Sequence, residues 1–202
     1  MDPNKSGCRS PPLGGPSSVH EKSLDHAAVA SGYGTFYNAV YRAVRSVRPN
    51  AEIGGFYLGL SRELVKGGGD LPKKYLDMVD YWLENKVDAD FICFDGGIQG
   101  WPYRQLPAEE LMNLTPAFSR VADQLREKTD LPIWVSEYYG AYNTGSSELE
   151  AANHASAYLH SLVSGTAVAL HWDPVGFCPW FTQVDTKDGG QPTPHYRVVE
   201  IF

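Results

Sequence analysis

The chain is poor in cysteine, with three in 202 residues (Cys8, Cys93 and Cys178). That is too few and too scattered for a disulfide framework, and no Cys or His spacing matches a structural zinc site. It also lacks an excess of basic residues. Seventeen Lys and Arg stand against 24 Asp and Glu, a formal charge of -7 with a pI near 5.3, so nucleic acid and anionic membrane are excluded as expected partners. No run approaches the ~20 apolar residues of a membrane span, and no apolar leader follows Met1, so neither a membrane segment nor a secretory signal is expected and the compartment stays open. A glycine-rich GxGxxG turn is missing as well, and no cofactor or metal is expected.

What is present is a globular composition, 43% hydrophobic and 12% aromatic, enough for one substantial core. Residues 1–32 open on Ser, Pro and Gly and are expected to form a poorly structured tail, leaving 33–202 as the folded domain. A first helix is read from Phe36, Ala39, Val40, Ala43, Val44 and Val47 at three- and four-residue spacing, with Arg42, Arg45 and Arg48 opposite, and Pro49 stops it. The apolar run Ile53 to Leu58 is a strand whose glycines imply close backbone approach, and Gly67-Gly68-Gly69 a mobile loop.

A second helix carries Tyr75, Met78, Val79, Trp82 and Leu83, and Ala89 to Asp95 is the next strand. A third helix is read continuously from Leu111 to Leu125, and Leu131 to Gly140 is the third strand, an apolar run closed by Glu137, Tyr138 and Tyr139. A fourth helix holds Leu149, Ala152, Ala155, Leu159 and Leu162. The strand Thr166 to Leu170 then ends in His171-Trp172-Asp173, and a short helix or strand over Tyr196 to Phe202 finishes the chain.

Continuous apolar strands alternating with helices imply a parallel sheet with helices outside it. With no phosphate-binding turn to mark a doubly wound sheet, the expected fold is α/β, a partial (β/α)8 TIM barrel. Such barrels place their chemistry at the C-terminal strand ends, where Tyr57, Asp95, Glu137, His171, Trp172 and Asp173 fall. Four strand and helix units make half a barrel, and its unpaired edges open a route to self-association.

The segment Leu131-Pro132-Ile133-Trp134-Val135-Ser136-Glu137-Tyr138, the run Ser156-Ala157-Tyr158-Leu159, and the strands Ala51 to Tyr57 and Ala89 to Phe94 together resemble clan A retaining glycoside hydrolases. The likeness is strongest to glycoside hydrolase family 39, the β-xylosidase and α-iduronidase type, and it covers most of residues 33–202. It implies strands five to eight of the catalytic barrel with Glu137 as nucleophile, and relatives that are often secreted or lysosomal. Two departures stand out. Where the family has a histidine and a tyrosine after the sixth strand, this chain has Asp95-Gly96-Gly97; the Asn-Glu pair that carries the family's acid and base has no counterpart, since Asn85 is preceded, not followed, by Glu84. The resemblance therefore implies a truncated form.

Retaining hydrolysis needs two carboxyl groups, one attacking the anomeric carbon and one protonating the leaving oxygen. Glu137 suits the first role, against the alternative of a strand-end glutamate paired with an arginine or capping a loop. Asp95 is the best second carboxylate in the chain, against that of a turn aspartate bonded to its own backbone. Trp172 offers a flat face for a pyranose ring. Tyr138, Tyr139, His171 and Tyr57 complete the expected carbohydrate contacts, with Tyr142, Trp101, Tyr103 and Trp180 on neighbouring rim loops; each could equally be a core lid or a hydrogen-bonded core residue. Two functions are carried forward: a retaining glycosidase, and a non-catalytic carbohydrate-binding or interaction protein built on the same barrel.

Overall fold

The computed structural model describes residues 25–98, 106–142, 144–172, 180–182, 187 and 189–202. Its first element starts earlier than expected. Helix α1 (His26–Val47) begins where the Asp25 carboxylate accepts from the backbone N–H groups of Ala27 and Ala28 at 3.1 and 3.3 Å, an N-cap that satisfies donors a bare helix end would leave unpaired. The folded part therefore includes residues 26–32, which the sequence reading placed in the tail; Ala30 is fully buried.

The buried face of α1 is also not the expected one. Ala30, Gly34, Tyr37 and Tyr41 face the core, whereas Phe36, Val40 and Val47 are exposed. The tyrosines can face inward because their hydroxyls find hydrogen-bond partners: Tyr37 donates to the Asp88 carbonyl at 2.8 Å and Tyr41 to the Asp88 carboxylate at 2.9 Å. Arg45 adds a two-pronged bond to Asp90 at 2.6 and 2.8 Å.

Four strands follow, β1 (Leu58–Gly59), β2 (Ile92–Gly97), β3 (Ile133–Tyr139) and β4 (Val168–His171), paired parallel in the order β1-β2-β3-β4. The backbone before β1 pairs with the sheet through an isolated bridge from Gly54 to Phe91, so most of the expected strand over 53–58 is not a regular strand. A Cβ at Gly54 would lie 2.2 Å from the Phe91 ring, which is the close approach its glycine implied.

Helices connect the strands, α2 (Ser61–Gly67) and α3 (Lys73–Asn85), α4 (Ala108–Leu114) and α5 (Ala117–Arg126), and α6 (Ser147–Val163), and α7 (Pro194–Ile201) follows β4. The expected third helix is two, α4 and α5, because Pro116 lacks the N–H that would carry one into the other. The glycines after α2 are held in place, the Gly68 carbonyl by Arg120 and that of Gly69 by Gln124, both at 2.8 Å.

Alternation along the strands sends Leu58, Ile92, Phe94, Ile133, Val135, Tyr138 and Ala169 into one core with Val79, Trp82, Phe118, Val121 and Leu125 of the helices. The opposite, inner face carries Phe91 and Trp134, stacked with ring centroids 3.9 Å apart, and Leu170, which is about half exposed. This is a mixed α/β fold with a four-stranded parallel sheet, consistent with part of a barrel. No helix of the described residues is long and apolar enough to cross a membrane.

Candidate functional site

Glu137 lies near the C-terminal end of β3, beside the register partner Asp95 on β2. The pairing shifts by one residue between Phe94 and Asp95, so Ser136 is left unmatched and donates to the Phe94 carbonyl at 3.1 Å. The shift keeps Glu137 on the face of Asp95 while Tyr138 continues to point at the helices. Asp95 stands inside a strand that runs on to Gly97, which removes the reading of a turn aspartate.

Tyr57, just before β1, hydrogen-bonds through its hydroxyl to Asp95 Oδ2. The other carboxylate oxygen, Oδ1, is enclosed and without a hydrogen-bond partner among the described residues. Among the described residues no lysine, arginine or histidine forms an ion pair with Asp95 or Glu137.

The electrostatics follow from that geometry. Burial raises the Asp95 pKa above the usual aspartate range, with the Tyr57 bond pulling the other way. Glu137 is likewise raised, first by burial and then by the neighbouring Asp95 charge. The Tyr57 phenol is pushed up by burial and by both carboxylates. Cys93, two residues before Asp95, is pushed up to about 11 by burial and carries no charge near neutrality.

Tyr139 joins this face. Its hydroxyl is 2.9 Å from Ser61 Oγ, and Ser61 also accepts from the Gly97 N–H at 3.1 Å. The ring lies flat over Gly97, where a Cβ would come within 1.9 Å of it. Ser61, at the start of α2, carried no signal in the sequence. Trp172, just past the end of β4, is about half exposed, and its backbone N–H donates to the Tyr138 carbonyl at 2.7 Å.

Two expected contacts are elsewhere. Tyr138 is buried among the helices, its hydroxyl 2.9 Å from His154 Nδ1 and its ring edge-on to Phe118 and Tyr158. His171 is the register partner of Tyr138 and shares its side, near His154 and Trp180. Neither reaches Glu137, because neighbours along a strand face opposite ways. Tyr142 is a buried residue packed against Tyr139. Trp101, Tyr103 and Asp173 lie outside the described residues.

Sequence reasoning missed the group behind the sheet. His154 of α6 and His195 of α7 are both buried, with ring centroids 4.5 Å apart. Forty-one positions separate them, and no local pattern marks the pair. Among the described residues no group of His, Cys, Asp and Glu has the arrangement of a metal site.

No protein-family model matches the chain, and no curated protein matches it. Among solved structures it is similar to a glucosidase from Croceicoccus marinus, with a TM-score of 0.50 and 18% identity over 70% of this chain and 28% of that one. The chain thus spans less than a third of that glucosidase. At this identity the likeness concerns the fold alone, which this chain shares with part of that glucosidase.

Proposed function

We propose that the chain is the C-terminal half of a retaining glycosidase barrel of the family 39 type, with Glu137 as the nucleophile. The observation that carries the reading is the place of Glu137: a carboxylate at the C-terminal end of a parallel strand, on the inner face, without a salt-bridge partner among the described residues. Barrel enzymes gather their reacting groups at this end.

In that role a Glu137 oxygen attacks the anomeric carbon, the glycosidic oxygen departs with the bonding electrons, and water later cleaves the glycosyl ester. Trp172 offers its ring to the sugar's apolar face. Tyr57 and Tyr139 present hydroxyls on the same face. Without an acid on the leaving oxygen only activated glycosides react, because their leaving groups depart unprotonated. The test is whether an activated fluoro-glycoside transfers its sugar to Glu137 and leaves Glu137→Gln unlabelled.

One observation favours the non-catalytic alternative. Glu137 has a raised pKa and, among the described residues, no cation beside it, which disfavours the ionised form a nucleophile needs. A sugar-binding protein that uses Trp172 and keeps Glu137 protonated would bind carbohydrate and form no ester.

A further inference from the structure

The two carboxylates raise a question that the nucleophile reading leaves open, namely what controls the charge on Glu137. Asp95 and Glu137 are paired in register on adjacent strands, which lie ~4.8 Å apart. The charged and titratable groups facing them can be taken element by element among the described residues. The segment before β1 supplies the Tyr57 hydroxyl, bonded to Asp95. Strand β2 supplies Cys93, a neutral thiol. Strand β3 supplies no cation, and its Tyr139 hydroxyl is turned to Ser61. Strand β4 supplies Leu170 and, just past its end, Trp172.

Two carboxylates paired in register, with no cation beside them among the described residues, repel each other when both are ionised, so they lose their protons in two separated steps. The hydrogen bonds decide the order. Tyr57 can donate only to an ionised or acceptor oxygen of Asp95, and no comparable donor is bonded to the Glu137 carboxylate among the described residues.

We propose that Asp95 is a positioning residue for Glu137: the pair titrates as one unit, Tyr57 fixes the negative charge on Asp95, and the last proton stays on Glu137. The proposal rests on the reading of Glu137 as the functional carboxylate and adds its control. Burial and the Asp95 charge both raise the Glu137 pKa, in the direction this requires. Removing the Asp95 charge therefore frees Glu137 to ionise at lower pH, so a lost carboxylate widens the range in which Glu137 can attack.

The experiment is a pH titration of the full chain labelled with 13C at glutamate and aspartate side-chain carboxyls, without substrate, with Glu137→Gln and Asp95→Asn used to assign the two signals. In the native chain the Glu137 midpoint lies above the ordinary glutamate range, and each of the two signals moves when the other group titrates. In Asp95→Asn the Glu137 midpoint falls back toward that range. In Tyr57→Phe, which keeps the ring, Asp95 binds its proton more tightly and the Glu137 midpoint again falls.

An ordinary Glu137 midpoint in the native chain overturns the proposal, as does one that Asp95→Asn leaves in place. A Tyr57→Phe chain with native titrations overturns the role given to Tyr57, and stands as the second variant should Asp95→Asn fail to fold. The readout involves no glycoside. Failure here leaves sugar transfer to Glu137 undecided, and failure of sugar transfer leaves the coupling measurable.

Discussion

The pair of buried histidines behind the sheet makes the stability of this chain depend on pH in a calculable way. His195 anchors α7 against His154 of α6, and burial pushes its pKa down to about 4. The unfolded chain binds that proton near pH 6.5. As pH falls from 6.5 toward 4, the unfolded state takes up a proton the folded state refuses, and stability is lost; above 6.5 the full contribution is present. At ~1.4 kcal/mol per unit, about 3 kcal/mol goes over the whole window, and about 2 kcal/mol between pH 7.5 and pH 5. His154 is lowered further by burial and by the other two histidines, and acts in the same direction.

Asp95, Glu137 and Glu150 act in the opposite sense. Burial raises their folded-state values, so they favour the folded state more as pH falls. The wild-type curve is a sum, and a comparison isolates the histidine share. Urea unfolding followed by tryptophan fluorescence at pH 7.5 and pH 5, in the native chain and in His195→Gln, gives that difference. The variant is expected to lose about 2 kcal/mol less on acidification than the native chain. Equal losses in the two proteins would refute the reasoning.

Tyr138→Phe removes the hydroxyl bonded to His154 Nδ1 and leaves a buried ring nitrogen unpaired, an expected loss of about 1–3 kcal/mol in chemical unfolding; no loss would mean that Tyr138 does not serve the core. Gly97→Ala places a methyl where the Tyr139 ring lies, so the ring must leave its Ser61 contact. Its Tyr139 side-chain NMR signals are expected to shift, with unfolding free energy lower by about 1–3 kcal/mol, and native signals would contradict the flat packing.

The strands were the readable part of the sequence, because a parallel sheet buried against helices needs continuous apolar runs and these stood out at Ile92, Ile133 and Val168. Helix α1 was read from its aliphatic residues and so on the wrong face, since tyrosine counts as amphipathic until its hydroxyl partners are known; Asp88 and Ile53 supply them from 47 and 16 positions away. At the site, Glu137 and Asp95 were legible as strand-end carboxylates. That Tyr138 and His171 turn away was also implicit, because the two-residue period of a strand cannot send Glu137 and Tyr138 to one face. The role of Ser61 and the His154–His195 contact depend on chain segments meeting in space, and no spacing in the sequence encodes them.

The claim that Glu137 is a glycosidase nucleophile meets its most direct test in the mass of the protein after incubation with a 2-deoxy-2-fluoro-β-glycosyl fluoride, run across the common pyranoses. The leaving fluoride needs no acid, and the fluorine at carbon two slows hydrolysis of the ester. The account predicts a mass increase of one fluoro-sugar with at least one of these reagents, found by peptide mapping on Glu137 and absent from Glu137→Gln. No increase with any of them, or one that Glu137→Gln retains, would contradict it.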